Sequence, residues 1–203
     1  MPSVASDQIS AVILAGGQSR RMNGRNKAFI ELHGRPLIDW VIEKLRPQTA
    51  CMFIAANPDD DRYRTLGIEL LADTLTPNYG PLAGVLSCLE RADTPYVFTA
   101  PCDTPFLPDT LVAQLYEYLQ DTADARAVSV SDGMRVHGTL SLLDRALAGD
   151  LRAYLQGGGR QVRAWLESIG GLSIDFSAQA DAFLNINSEG DFKHAESICR
   201  SMS

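Results

Sequence analysis

The chain has 203 residues, 45% of them hydrophobic and 21% charged, enough for a compact α/β domain with a full core. Its net charge of -7 argues against general nucleic-acid binding, which asks for a broad basic face, so any anion site must be local. No apolar stretch approaches the roughly 20 residues that cross a bilayer, and Met1 to Ser10 lacks a basic start with an apolar core, so the expectation is a cytoplasmic protein without membrane contact.

The first predicted element is the unbroken apolar run Ala11-Val12-Ile13-Leu14, the pattern of a buried parallel strand. It runs into LAGGQSRRMNGRNK, residues 14–27. Ala15, Gly16 and Gly17 let the backbone turn sharply and bring its N–H groups close to a ligand. Arg20, Arg21, Arg25 and Lys27 set cations on or just after this loop, against the sign of the whole chain, which points to a phosphate-rich ligand. The interval from Gly17 to Gly24 fits neither a Walker loop nor a dinucleotide fingerprint.

Beyond the loop, Phe29–Leu32 reads as a short strand, His33-Gly34-Arg35 as a turn, and Pro36 as the opening of a helix with Leu37, Ile38, Val41, Ile42 and Leu45 on one buried stripe. Pro47 closes it. Cys51–Ala55 is the next strand, Asp59–Leu66 a short polar helix, and Ile68–Ala72 a third apolar run that hands over to a loop at Asp73. In open parallel sheets ligands lie beyond the carboxyl ends of the strands, which makes Asp73 a candidate. Gly80-Pro81-Leu82-Ala83-Gly84 surrounds the start of a helix over 82–91; unpaired N–H groups there favour an anion or a close-packed base, and a plain helix cap reads the same way.

Tyr96–Ala100 is the fourth strand. Asp103 follows it, between Pro101 and Pro105, rings that restrict the backbone carrying the carboxylate. A magnesium ion belongs here, since this hard cation takes one or two protein carboxylates and completes its octahedron with water and phosphate oxygens, although a turn aspartate looks alike in isolation. Asp109 is expected to cap the following helix. Residues 127–130 and 135–143 should form a hairpin around Ser131-Asp132-Gly133, with His137 either packed or facing an acceptor. Two helices over 144–155 and 161–169 flank Gly157-Gly158-Gly159-Arg160, a linker or a flexible ligand edge with Arg160 reaching a phosphate. A strand at 172–176, the segment Phe183-Leu184-Asn185-Ile186-Asn187 and a helix from Ser188 end the chain. Cys51, Cys88, Cys102 and Cys199 show no metal spacing and read as buried free thiols, and zinc is not expected. No linker or repeat divides residues 1–203, so one domain is expected, with a nucleotide half over about 10–108 and an acceptor half over about 109–203.

The stretch LAGG-x-S-R-R-M with Lys27 resembles the signature of nucleotidyltransferases, with Asn23 pushing Gly24 one place late. Together with Asp73, GPLAG at 80–84, PCDTPFLP at 101–108, Gly158-Gly159-Arg160 and Asn185-Ile186-Asn187, the order is similar to that of molybdenum cofactor guanylyltransferases over nearly the whole chain. The resemblance implies a three-layer, Rossmann-like α/β fold with a mostly parallel central sheet. It also implies transfer of GMP from GTP to molybdopterin or molybdenum-molybdopterin, with Mg2+ as cofactor and pyrophosphate released. Molybdoenzyme apoproteins or their chaperones would receive the product.

Carried over by position, Leu14, Ala15, Gly16 and Gly17 would line the nucleoside, Arg21 and Lys27 would hold phosphates, Asp73 would touch the nucleoside, and Asp103 would bind the metal. Gly80, Gly84, Arg160, Asn185 and Asn187 would lie along the acceptor side. The sequence departs from the family at Ala55, where an asparagine contacting nucleotide is usual, and at Gly138, where proline commonly follows the histidine. Gly16 resembles the guanine-using branch, because the related cytidylyltransferases read L-A-A-G. The alternatives are a relative using CTP or a sugar phosphate, and a non-catalytic molybdopterin carrier.

Overall fold

The computed structural model describes residues 6–16, 26–56, 59–72 and 80–202. Among them, the central sheet has seven strands in the order β5-β4-β1-β6-β8-β7-β9: β1 (Ile9–Leu14), β4 (Cys51–Ala55), β5 (Glu69–Leu71), β6 (Tyr96–Pro101), β7 (Ala127–Ser131), β8 (Val136–Asp144) and β9 (Leu172–Asp175). β8 alone of these runs against its neighbours, pairing antiparallel with both β6 and β7. The expected mostly parallel α/β sheet is therefore what forms.

β1 is buried along its whole length because both sheet faces are covered. Ile9, Ala11 and Ile13 point into one core layer with α1 (Leu37–Leu45) and α3 (Leu111–Asp121). Val12 and Leu14 point into the other, with α2 (Pro81–Arg91), α4 (Ala148–Gln156) and α5 (Val162–Ser168). A third cluster, built from Leu32, Leu37, Phe106, Ile186, Ala195 and Cys199, fastens α6 (Glu189–Met202) and the 184–187 segment beside the loop that follows β6.

Several local expectations change. The stretch read as a strand over 29–32 is divided between a 3-10 turn, Lys27–Phe29, and β2 (Glu31–Leu32), which pairs with β3 (Arg35–Pro36). The two residues joining them, His33 and Gly34, both have positive φ, 51° and 73°, as a tight two-residue hairpin loop requires. Asp109 does not cap α3. Its carboxylate pairs with Lys44 at 2.8 Å, while the buried Gln48 reaches across and accepts the Val112 N–H at 3.0 Å. Cys51 is exposed, whereas Cys88, Cys102 and Cys199 are buried as expected.

The glycine run after α4 is an ordered C-terminal cap rather than a flexible linker. Gly159 N–H bonds to Tyr154 O and Gly158 N–H to Leu155 O, the paired bonds of a Schellman motif, with Gly158 at φ 91°. A Cβ on Gly159 would fall 2.4 Å from the Tyr154 ring, so both glycines are needed.

Candidate functional site

The sheet order reverses at β1. The chain passes from β1 outward to β4 and β5, then returns over the sheet to β6 on the other side of β1, and such a reversal opens a crevice beyond the carboxyl ends of the two central strands. Leu14 is level with Pro101 there, and Cys102 N–H donates to Leu14 O at 3.1 Å. The loop after β1 and the PCDTP loop after β6 thus start side by side.

Lys27 comes back to this crevice at the first position of its 3-10 turn, which Asn26 caps by accepting the Ala28 N–H at 3.1 Å. Its ammonium donates to Asp103 Oδ2, to Asn187 Oδ1 at 2.5 Å and to Asn185 Oδ1 at 3.5 Å. The last two belong to the 185–187 segment, which a bond from Ile186 N–H to Asp103 O at 3.0 Å holds against the PCDTP loop. Lys27, Asp103, Asn185 and Asn187, expected to divide between nucleotide and acceptor halves, form one cluster of a cation and oxygen acceptors.

Asp103 is only 7% exposed, and its second oxygen, Oδ1, is buried without a hydrogen-bond partner among the described residues. Burial pushes its carboxyl above the usual range, and the Lys27 ammonium works against that. An orphaned buried carboxylate oxygen is costly unless something cationic meets it, and the donor set, one carboxylate with amide oxygens beside it, suits a hard divalent ion. Among the described residues no three His, Cys, Asp or Glu side chains gather, so such an ion would depend on water and substrate oxygens as well.

The structure separates two kinds of glycine around the crevice. A Cβ on Gly16 would meet Ala55 O at 3.7 Å, an ordinary contact, so packing among the described residues does not demand glycine there. On Gly84 it would stand 2.4 Å from the Ala55 Cβ, so this glycine lets α2 lie close on β4. Gly84→Ala should lower stability by about 1–3 kcal/mol, read as a fall in the thermal midpoint, because two backbones must part. The Ala55 departure has a matching account: its methyl faces Gly84, and its carbonyl accepts the Ala15 N–H at 2.8 Å. Gly80 adopts φ 64° and ψ −156° at the start of α2, a conformation open only to glycine.

Arg160 donates to Leu155 O at 2.9 Å and Gly159 O at 2.5 Å, placing a cation on the carbonyl end of α4. His137 is packed near Phe183, ring centroids 6.0 Å apart, and pairs with Asp132 at 2.7 Å. Burial alone would raise the Asp132 carboxyl, but the Arg135 N–H, His137 and the Met134 N–H hold it down at about 2. Gly138 lies against α5, where a Cβ would come 3.0 Å from Val162, so a proline ring would press on that helix. Gly17, Arg21 and Asp73 lie outside the described residues.

Known proteins converge on the same reading. Residues 11–171 match the family of MobA-like NTP transferase domains. A molybdenum cofactor guanylyltransferase of Serratia proteamaculans (strain 568) is 42% identical, over 91% of this chain and 92% of its own. One from Histophilus somni (strain 129Pt) is 40% identical, over 94% and 97%. The crystal structure of molybdopterin-guanine dinucleotide biosynthesis protein A from Archaeoglobus fulgidus superposes with a TM-score of 0.79 at 25% identity, covering 95% of this chain and 100% of the other. A 2-C-methyl-D-erythritol 4-phosphate cytidylyltransferase from Thermus thermophilus shares the fold, with a TM-score of 0.68 at 20% identity over 93% and 98%. With a reversed sheet order that opens a crevice, a lysine and a buried aspartate meeting in it, and this similarity over most of its length, the chain belongs to the MobA-like NTP transferase family and is a nucleotidyltransferase.

Proposed function

We propose that the enzyme transfers GMP from GTP to molybdopterin, or to molybdenum-molybdopterin, and releases pyrophosphate. The observation that carries this is the meeting of Lys27 and Asp103 at the carboxyl ends of β1 and β6, in a chain about 40% identical to proteins named molybdenum cofactor guanylyltransferase. A carrier needs affinity alone. A transferase needs a cation beside the leaving group and a carboxylate for metal, and Lys27 and Asp103 suit those two tasks.

In the reaction an oxygen of the acceptor phosphate bonds to the α-phosphorus of GTP while the bond from that phosphorus to the bridging oxygen of pyrophosphate breaks. The acceptor phosphate has a second pKa of about 6, so at neutral pH it is mostly dianionic and needs no protein base. The barrier lies in bringing two anions into line, which makes positioning and charge neutralisation the protein's task. Lys27 neutralises charge passing to pyrophosphate, with Arg21 as its partner. Asp103, with Asn185 and Asn187, would hold a divalent ion, read as Mg2+, which would supply electrostatic stabilisation of the phosphate oxygens. Leu14, Ala15, Gly16, Gly17 and Asp73 take the nucleoside, while Gly80 and Arg160 lie toward the acceptor.

Incubation with molybdopterin, magnesium and each of the four nucleoside triphosphates tests this. A GMP adduct by mass spectrometry, with stoichiometric pyrophosphate, is expected from GTP alone. An adduct from CTP, or none from GTP, overturns the reading. Among the described residues no helix is long and apolar enough to cross a membrane.

A further inference from the structure

Tyr63 lies outside every stretch that the sequence marks as a motif, in the 3-10 helix Asp61–Leu66, and is fully buried. Its hydroxyl lies 3.3 Å from the carbonyl oxygen of Ala15 and 3.0 Å from Nδ2 of Asn26. Those two residues bracket the basic loop, one at its start and one immediately before Lys27. The hydroxyl also lies 3.1 Å from Oδ1 of Asn26, and with its proton turned to Ala15 O every group is satisfied. Asn26 Nδ2 donates to the Tyr63 oxygen and to Asp60 Oδ2 at 2.9 Å; Tyr63 donates to Ala15 O; Asn26 Oδ1 keeps the Ala28 N–H.

The surroundings fix the ionisation of these groups. Asp60 remains ionised because the Arg62 guanidinium, bonded to it at 2.8 and 2.6 Å, draws its carboxyl far below the usual range. Burial pushes the Tyr63 phenol up to about 12, which keeps it a neutral donor. Phe29, in the same turn as Lys27, packs with its ring centroid 4.9 Å from that of Tyr63, tilted by 58°, and lies under Arg62 at 4.3 Å. A phenylalanine would fill this apolar site equally well and would not have to desolvate a hydroxyl. What the hydroxyl adds is the tie.

We propose that Tyr63 is a positioning residue for the nucleotide: its hydroxyl joins the two ends of the signature loop and sets the separation between the nucleoside-side backbone at Ala15 and the ammonium of Lys27. This rests on the GTP reading above. The tie acts on the triphosphate and not on the acceptor, so its loss should divide the two.

Tyr63→Phe should weaken binding of a non-hydrolysable GTP analogue about 5–10-fold by calorimetry and raise KM for GTP to match, from the loss of the hydroxyl's buried hydrogen bonds, while KM for molybdopterin stays within about twofold. Asn26→Ser keeps an oxygen for the Ala28 N–H but is too short to reach Tyr63, and should give the same division without touching the core. The double variant should be no worse than Asn26→Ser alone, because both changes cut the same tie. Wild-type GTP affinity in either single variant, or equal rises in both KM values, overturns the proposal. Failure of the wild-type protein to take up the GTP analogue would instead overturn the nucleotide reading beneath it.

Discussion

Asp103→Asn is expected to reduce guanylyl transfer by about 10³-fold or more while leaving the fold intact. The amide matches the carboxylate in size, and its oxygen still accepts from Lys27, so the links to the 185–187 segment survive. Its NH2 group, however, replaces one of two anionic oxygens, and that atom position, Oδ1 or Oδ2, would present a donor where a cation needs an acceptor. The buried Oδ1 has no hydrogen-bond partner among the described residues, so the carboxylate's capacity is not otherwise used. The check is transfer rate across a magnesium titration, with Mn2+ binding followed by electron paramagnetic resonance. A variant that reaches a rate within tenfold of wild type at any magnesium concentration would show that Asp103 does not anchor the ion.

Lys27→Ala is expected to lose about 10²–10³ in kcat at saturating GTP and yet to bind Mn2+ at least as well as wild type. Three oxygens from two chain segments surround the ammonium, and they are the oxygens a metal would be offered. Removing it frees Asp103 for metal but leaves Arg21 without its partner at the departing pyrophosphate. It also leaves a largely buried carboxylate without its counter-charge, so the metal-free variant should melt below wild type, and magnesium should raise its midpoint more than it raises that of wild type. Weaker Mn2+ binding with little change in kcat would make Lys27 a support for Asp103 and nothing more. Lys27→Arg should not restore the rate in full, because a planar fork cannot meet three oxygens arranged around a point charge.

The two changes together distinguish the roles that the crevice combines. Both residues sit on short segments tied by backbone bonds, Lys27 through the Asn26 cap and Asp103 through Ile186 N–H, so neither substitution should dismantle the strands beneath. Loss of metal with loss of rate assigns the anchor; loss of rate with metal retained assigns the charge at the leaving group.

The strands beside the site were legible for a simple reason. β1, β4 and β6 are covered on both faces, so their residues are apolar without alternation, and the turn to loop chemistry at Ala15 and Pro101 is abrupt. The Asp-Gly pair in the β7–β8 hairpin was equally plain, since it needs no distant partner. Expectations failed where a distant side chain overrode a local one. Asp109 stands one residue before Thr110, the N-cap of α3; Lys44 takes its carboxylate, and Gln48 meets the Val112 N–H from a position that no local pattern connects to that helix. Composition made the three glycines look flexible, yet the ring of Tyr154 and the left-handed turn at Gly158 give them fixed work.

Sequence by itself determined the class of fold, the family, and the candidates Lys27 and Asp103, because strand burial and the residues after each strand are properties of short, contiguous stretches. Tertiary structure alone decided that Asn185 and Asn187 join those two in one cluster, that Gly84 serves the packing of α2 on β4, and that a buried tyrosine ties the ends of the loop. The physical reason is that hydrogen bonds and van der Waals contacts act over a few ångströms in space, whatever the distance along the chain. Lys27 and Asn187 are 160 residues apart in sequence and 2.5 Å apart where they meet.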